Sequence, residues 1–292
     1  MKRPPSDVRR LGLAFTLLEM LVSVTILTLL IATVSQVSNS TMVVTNNSSR
    51  RMQADSQARL IFDCMANDFA HILKRKDVDY YFNKQTGNDA AFFFSEAPGF
   101  YTSGSASSQS GITLVGYRIN SSYQLERLGK GLSWTSNASS GTPNSIKYLT
   151  YSGGSASPDA SSTLAGCWAS TVAPASSDPD YHVLGDQVYR FEFMFLLKDG
   201  TLSNTPWMTS LNHTSIQGLQ DVAAIVVAIG ILDSSSRRLV SDFSPMVGAL
   251  PDAADGTPID QTWGKSSYLT SSGIPKIAAA QMRIYQRYFF LK

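Results

Sequence analysis

The sequence is poor in the residues that build metal centres, disulfide frameworks and nucleic-acid surfaces. Its 292 residues include only 3 histidines and 2 cysteines, and the formal net charge is +2. His71, His182 and His213 are too widely scattered to match the ligand spacing of a metal site. A chain so close to neutrality offers no basic surface for DNA or RNA, so we expect no nucleic-acid partner.

Catalytic motifs are missing from the sequence as well. It contains no Gly-x-Ser-x-Gly element and no glycine-rich loop that would hold a phosphate. We therefore predict that the protein is not an enzyme and takes no cofactor. Asp252, Asp255 and Asp260 lie near Gly256 in an oxygen-rich stretch, and such stretches bind Ca²⁺ in some proteins. Their spacing matches no EF-hand, so a solvated acidic loop is the simpler interpretation.

Proline is absent between Pro5 and Pro98, and the longest apolar run of the chain lies in that interval. Residues 15–34 would form a helix of roughly 30 Å, which is the thickness of the hydrocarbon core of a bilayer. A leader of net charge +3 precedes this run. The positive-inside tendency then leaves the N-terminus in the cytoplasm and places the C-terminal bulk outside. The charged leader residues are Lys2, Arg3, Asp7, Arg9 and Arg10.

A single acidic residue, Glu19, interrupts the apolar run. A charged side chain inside hydrocarbon costs about 2.5 to 3.5 kcal/mol on insertion scales, so an intramembrane Glu is a functional-site hypothesis by default. The small residue Ala14 precedes the segment Phe15-Thr16-Leu17-Leu18-Glu19-Met20-Leu21-Val22.

This segment resembles the N-terminal motif of type IV pilins and of the pseudopilins of type II secretion. The resemblance implies that a prepilin peptidase cleaves between Ala14 and Phe15 and methylates the new N-terminus. The family usually has Gly before the cleavage site, where this chain has Ala14. The resemblance also implies a partner for Glu19, namely the N-terminal amine of a neighbouring subunit. Such an ion pair is strong in a low-dielectric medium, and an unpaired charge there is costly.

Two other interpretations of the apolar run stay open. A removable signal peptide also has a basic start and an apolar region, but residues 32–34 make a poor cleavage site and Glu19 is out of place. A plain signal anchor is the second alternative. It would carry an extracytoplasmic binding module whose Ser/Thr-rich loops and aromatic residues recognise a carbohydrate or another surface polymer.

The two cysteines, Cys64 and Cys167, also leave two interpretations open. An oxidising compartment permits a disulfide between them. Cys64 lies on the apolar face of a predicted helix, however, and a buried free cysteine behaves as a small hydrophobic residue.

The pattern beyond the membrane segment predicts a helix followed by strands. We expect a loosened helix at 39–49, where the weak helix formers Thr, Asn and Ser are frequent. Helical spacing then returns up to about position 76, with an apolar stripe that packs onto a sheet. The stripe consists of Leu60, Ile61, Cys64, Met65, Phe69, Ile72 and Leu73.

Period-two patterns replace the helical one after position 76. Residues 112–119 and 123–128 predict a hairpin, and 146–151 and 188–198 predict further strands. Residues 221–232 predict a buried central strand, and 272–290 predict a closing helix. Surface loops are expected at 101–111, 135–145 and 152–162, with a longer excursion at 234–258.

The predicted fold class is therefore α+β, with a long N-terminal helix packed on an antiparallel sheet as in pilins. We expect a leader at 1–14, a membrane helix at 15–34, its continuation at 35–76 and a periplasmic domain at 77–292.

The body of the chain also resembles the J-type minor pseudopilins, and among them the cassette-encoded protein C family of Verrucomicrobia. The matching features are Arg59-Leu60 with Asp68-Phe69, the hairpin 116–127, the strand 191–200 before Trp207, and the closing residues 283–290. The resemblance implies a non-enzymatic minor subunit in the bacterial inner membrane. Its partners would be other pseudopilins, the assembly platform, the prepilin peptidase and the lipid bilayer.

Overall fold

The computed structural model describes residues 16–75, 78, 80–97, 99–100, 109–131, 181–215, 217–264 and 274–292. The chain divides into two compact units, Met1–Arg51 and Met52–Lys292. The predicted α+β class is confirmed, with a long apolar N-terminal helix and antiparallel sheets.

Helix α1 runs without interruption over Leu17–Ala70. The expected loosening at 39–49 is therefore wrong. Hydroxyl side chains in this stretch donate to carbonyls of the preceding turn, as Ser40 Oγ does to Gln36 O at 2.9 Å. A hydroxyl that donates in this way is compatible with the helical backbone and does not replace the backbone hydrogen bonds of the helix.

The helix ends at Ala70, earlier than the boundary predicted at 76, because the chain begins to bond to a strand. Leu73 N–H donates to Phe94 O, and His71 O accepts from Glu96 N–H, both at 2.9 Å. These bonds satisfy backbone groups that a longer helix would have used internally.

Strands dominate the second unit. In chain order they are β1 (Tyr81–Asn83), β2 (Ala90–Ser95), β3 (Gly99–Phe100), β4 (Gln109–Ser110), β5 (Thr113–Ile119), β6 (Leu125–Gly131), β7 (Tyr181–Gly185), β8 (Val188–Leu197), β9 (Leu202–Ser203), β10 (Val222–Ile231) and β11 (Arg283–Phe290). One antiparallel sheet has the order β1-β2-β5-β6-β7, and a second has the order β11-β10-β8-β9. Strands β3 and β4 form a separate pair. The predicted hairpin is confirmed as β5 and β6.

Strand β10 is the buried central strand that its apolar run predicted, since it pairs with both β8 and β11. The pairing of β8 with β10 contains two register shifts, one at Ala223 and one at Tyr189. Each inserts one extra residue and so changes which side chains share a face. The shift at Tyr189 keeps Val188 on the same face as Phe191, where both are fully buried.

The main core of the second unit lies between α1 and the two sheets. Ile61, Met65 and Phe69 of α1 are buried in it, and the Phe69 ring lies 5.2 Å from that of Phe289 on β11. The predicted stripe is therefore largely confirmed as core. Leu60 is the exception, since its side chain is exposed.

Short helices cover the opposite face of the β8–β10 sheet. They are α2 (Ser234–Arg237), α3 (Ser244–Gly248), α4 (Ile259–Trp263) and α5 (Lys276–Gln281), and two 3₁₀ turns lie at Thr209–Leu211 and Gly218–Gln220. Met246, Ile259 and Trp263 belong there to one buried cluster with Val226 of β10. Strand β10 is thus covered on both faces, which explains why its sequence is apolar without alternation.

The closing helix predicted at 272–290 is wrong for most of its length. Helix α5 ends at Gln281, and Met282 has extended backbone angles of φ −62° and ψ 136°. Strand β11 then pairs with β10 over eight residue pairs. Its aromatic and β-branched residues favour a strand, whereas the alanines that suggested a helix all lie in α5. The strand predicted at 146–151 and the loops at 135–145 and 152–162 lie outside the described residues.

Candidate functional site

Glu19 lies in the first turn of α1. Its backbone N–H donates to Thr16 O at 3.0 Å and to Thr16 Oγ1 at 3.3 Å. A carboxylate in the first turn interacts favourably with the positive end of the helix dipole. This end of α1 is therefore a position where the backbone itself tolerates an acidic side chain.

Glu19 differs from every other polar residue between Leu17 and Val34. The hydroxyls of this segment all bond back to backbone carbonyls: Ser23 to Glu19 O, Thr25 to Val22 O, Thr28 to Thr25 O and Thr33 to Leu30 O, at 2.7 to 2.9 Å. Such groups enter hydrocarbon with their hydrogen-bonding capacity already used. The Glu19 carboxylate, in contrast, has no hydrogen bond or ion pair within the described part of the chain, and it is exposed.

Helix α1 is long and apolar enough to cross a membrane, and none of its apolar window is buried. Leu17, Leu18, Leu21 and Leu29, for example, are more than half exposed. The core helix of a soluble domain would bury such residues. The helix therefore fits a single-pass membrane anchor.

An apolar row continues along α1 beyond the length that a bilayer covers. The row starts with Leu27, Leu30, Val34 and Val37, which follow one another at steps of three, four and three residues. It ends with Val44, seven residues beyond Val37. All five side chains are exposed. This is the spacing by which one helix packs along another.

A buried ion pair joins α1 to the five-stranded sheet. Asp68 on α1 accepts from Arg127 on β6 through Nε at 2.7 Å and Nη2 at 2.8 Å, and it also accepts from the Tyr117 hydroxyl on β5. The Asp68 side chain is 1% exposed. Burial, followed by the charge of Asp68, raises the pKa of the Tyr117 phenol, which therefore stays a donor at every physiological pH.

A second charged cluster links β8 to the loop before β2 and to residues 250–252. Arg190 on β8 is fully buried and its guanidinium faces Trp263, 5.2 Å from the ring centre. It donates to five acceptors: Gly87 O, Leu250 O at 3.0 Å, Phe191 O at 3.1 Å, Glu192 Oε2 at 3.0 Å and Asp252 Oδ1 at 2.6 Å. Such a fork of donors suits arginine and would not suit lysine.

Lys84 completes this cluster. Its Nζ lies 2.7 Å from Asp89 Oδ2 and 3.4 Å from Glu192 Oε1. Burial raises the pKa of Asp89 to about 6, although Lys84 acts in the opposite direction. Each charge in this cluster has a compensating partner. The cluster holds the loop before β2 against the edge of β8, and we interpret its role as structural.

The three aspartates considered for Ca²⁺ serve separate parts of the fold. Asp252 accepts from Arg190, Asp255 Oδ1 accepts from Asn204 N–H at 2.6 Å, and Asp260 lies in the first turn of α4. Within the described ranges no group of three His, Cys, Asp or Glu side chains is placed to hold a metal ion.

The histidines are equally dispersed in the structure. His71 Nδ1 lies 2.8 Å from Asn67 O, His213 Nδ1 lies 2.8 Å from Asp221 Oδ2, and His182 is exposed on β7.

Ala14, Phe15 and Cys167 lie outside the described residues. Cleavage, methylation and the disulfide therefore stay predictions. Cys64 is partly buried on α1, and burial raises the pKa of its thiol. A thiol with a raised pKa is less reactive at neutral pH than an exposed one.

Sequence reasoning did not find the Asp68–Arg127 pair or the Arg190 cluster. The only available signal for the cluster was Arg190 and Glu192 alternating with phenylalanines, a pattern that ordinarily predicts a solvated polar face. Nothing in the sequence connects Asp68 with Arg127, since 59 positions separate them.

No family model matches this chain, and no curated protein matches it.

Proposed function

We propose that the protein is a minor pseudopilin or pilin-like subunit of a bacterial secretion or pilus-like assembly. It is inserted in the inner membrane through α1, with the N-terminus in the cytoplasm and the Met52–Lys292 unit in the periplasm. The observation that carries the proposal is Glu19. Between Leu17 and Val34, a fully described and exposed helix segment of membrane length, it is the only ionisable residue. Every other side-chain polar group of that segment is already hydrogen-bonded.

A charged side chain at the bilayer centre costs about 2.5 to 3.5 kcal/mol on insertion scales. Glu19 lies nearer the end of the segment, where the cost is smaller, but its carboxylate still gains from a partner cation. Cleavage between Ala14 and Phe15 would create one, because the new amine of Phe15 is cationic at neutral pH. In an assembly, the amine of a neighbouring subunit can neutralise Glu19 and so fix the position at which the subunit is added.

The exposed row Leu27, Leu30, Val34, Val37 and Val44 supports the same proposal. Its spacing continues past the hydrocarbon core, where an apolar row would otherwise face water. Packing against the helices of other subunits would cover it. A plain signal anchor has no need for apolar residues at these outer positions.

The processing step is tested by mass spectrometry of the full chain extracted from membranes of cells with an active prepilin peptidase. We expect a mature chain that begins with N-methyl-Phe15. Replacing Ala14 by Gly should preserve processing, and replacing Ala14 by Arg should abolish it. A chain that still begins at Met1 in those cells would contradict the proposal and favour a plain signal anchor.

A further inference from the structure

The edge of β8 that faces away from β10 is covered by two different elements. Strand β9 pairs with its C-terminal part, at Phe195 and Leu196. Its N-terminal part, from Tyr189 to Phe193, has no described strand beside it on this side. The loop 84–89, which joins β1 to β2, lies there instead. We name this loop the edge cap.

Five hydrogen bonds join the edge cap to backbone groups of β8. They are Phe191 N–H to Asn88 Oδ1 at 2.9 Å, Phe193 N–H to Asp89 Oδ2 at 3.1 Å, Asp89 N–H to Phe191 O at 3.1 Å, Lys84 Nζ to Phe193 O at 2.8 Å and Asn88 Nδ2 to Tyr189 O at 3.1 Å. One of the five joins backbone to backbone. The cap therefore depends on the polar side chains of Lys84, Asn88 and Asp89, and it does not pair as a regular strand.

The edge cap contributes no apolar side chain to the core. Its sequence is Lys-Gln-Thr-Gly-Asn-Asp, and the side chains of Gln85 and Thr86 are exposed. Segments with few buried apolar contacts open at a lower free energy than the core of a domain. The cap can therefore open while β8 stays paired with β10.

The edge cap also brings charge into a buried cluster. Three carboxylates, those of Asp89, Glu192 and Asp252, share the two cations Lys84 and Arg190. The side chains of Asp89 and Glu192 are 0% exposed, so water does not screen them, whereas that of Asp252 is 37% exposed. With all five groups ionised the cluster has a net negative charge. Such an excess favours a proton on one buried carboxylate.

Asp89 is the carboxylate that takes up this proton. Burial raises the pKa of Asp89 to about 6, with the charge of Glu192 acting in the same direction and Lys84 opposing both. A protonated carboxyl still has an acceptor for the Phe193 N–H. Opening the cap returns Asp89 to water and its pKa to an ordinary 3.8. The closed cap therefore holds the proton more tightly than the open one.

We propose that loop 84–89 is a detachable cap on the edge of β8, which opens without unfolding of the sheet and opens more readily once Asp89 is ionised. Opening frees the outward backbone groups of Phe191 and Phe193. Free groups of this kind are the part of a sheet that can pair with another chain. The proton on Asp89 thus regulates how often this part of β8 is exposed. The inference concerns the Met52–Lys292 unit and does not depend on assembly through Glu19.

The test measures amide hydrogen exchange of the full chain in detergent, residue by residue and corrected for intrinsic exchange rates. Backbone groups alternate along β8, so the amides of Phe191 and Phe193 report the cap, and those of Glu192 and Met194 report the pairing with β10. We expect lower protection at 191 and 193 than at 192 and 194. Protection at 191 and 193 should also fall by roughly 50-fold from pH 4 to pH 7, as pKa values of about 6 and 3.8 imply.

Two variants of the cluster identify the titrating group. Asp89→Asn keeps an acceptor for the Phe193 N–H and cannot ionise, so we expect no comparable fall in protection with pH. Asp252→Asn removes the partly exposed carboxylate of the same cluster. It should keep the fall, because Asp89 still titrates.

Four results would overturn the proposal. They are equal protection of all four amides at every pH, protection at 191 and 193 that does not change with pH, a fall that persists in Asp89→Asn, and a fall that Asp252→Asn abolishes. The first would mean that β8 exchanges only when the sheet unfolds.

Asn88→Ala provides a separate check should Asp89→Asn fail to fold. It removes the acceptor of the Phe191 N–H and should lower protection at 191 at every pH. Unchanged protection at 191 in this variant would contradict the inference.

Discussion

Replacing Asp68 by alanine removes the carboxylate that joins α1 to the five-stranded sheet. The variant loses both hydrogen bonds from Arg127 and the bond from the Tyr117 hydroxyl. Removing one member of a buried pair leaves the other charge uncompensated and typically costs 3 to 5 kcal/mol. Since the Arg127 side chain is 27% exposed and can be partly rehydrated, we expect the lower end, about 3 kcal/mol.

Asp63 provides a matched control on the same helix. It also pairs with an arginine, Arg287, at 2.9 Å, but the two side chains are 64% and 43% exposed. Exposed pairs of this kind contribute about 0 to 1 kcal/mol. Thermal unfolding of the detergent-solubilised full chain, followed by tryptophan fluorescence, should separate the two. For a unit of this size, 1 kcal/mol shifts Tm by about 2 to 4 °C, so Asp68→Ala should lower it by about 6 to 12 °C.

A shift for Asp68→Ala no larger than that for Asp63→Ala would refute the reasoning. A rescue variant sharpens the test. Replacing Asp68 by Asn and Arg127 by Met together removes both charges and keeps a hydrogen-bonding group for Tyr117. The double variant should be more stable than Asp68→Ala, because no unpaired charge remains.

Two further predictions concern the Arg190 cluster. Arg190→Met should destabilise the chain by about 3 to 5 kcal/mol, since it removes the fully buried cation that Glu192 and Asp252 share and leaves Glu192 with Lys84 at 3.4 Å. Chemical denaturation would measure this, and a loss below about 1 kcal/mol would contradict it. Burial raises the pKa of Asp89 from its ordinary value of 3.8 to about 6 in the fold, which means that the folded state holds this proton more tightly. Stability from this group is therefore present at low pH and is lost as the pH rises from about 4 to about 6. Asp89→Asn should flatten that part of the stability profile in denaturant titrations, and an unchanged profile would contradict the assignment.

The parts of the fold that sequence predicted correctly depend on local patterns. Three apolar patterns in the sequence correspond to side chains that are buried in the structure. They are the apolar run of β10, the alternating phenylalanines of β8, and the stripe of Ile61, Met65 and Phe69 on α1. The hairpin of β5 and β6 was predicted because its strands are joined by a short polar turn, in which Asn120 Oδ1 accepts from Ser122 N–H at 2.9 Å.

The errors arose where tertiary structure decides between local alternatives. The residues from Arg283 onward follow an alanine-rich stretch, but their partner strand β10 makes them a strand. In the same way, the end of α1 at Ala70 is set by the bonds that follow it to β2. Neither partner is visible from the neighbouring sequence.

The candidate site also contains one residue that the local sequence predicts and one cluster that only tertiary contacts define. Glu19 could be predicted, because one acidic residue in an apolar run is unusual in any sequence. The Arg190 cluster could not, because a fully buried guanidinium depends on acceptors such as Leu250 O and Asp252, which lie 60 and 62 positions away. Strand β11 was assigned to a helix, so its pairing with β10 was also missed.

The most direct test of the central claim measures whether Glu19 is needed for contact between subunits. Val37→Cys, in a chain with Cys64→Ser and Cys167→Ser, places one thiol on the exposed row of α1. Photocrosslinking through a benzophenone maleimide attached to this thiol, in membranes of cells that carry the assembly, should yield crosslinks to neighbouring subunits. Adding Glu19→Val should abolish them while N-methyl-Phe15 is still found by mass spectrometry. Undiminished crosslinking in the Glu19→Val chain would contradict the account.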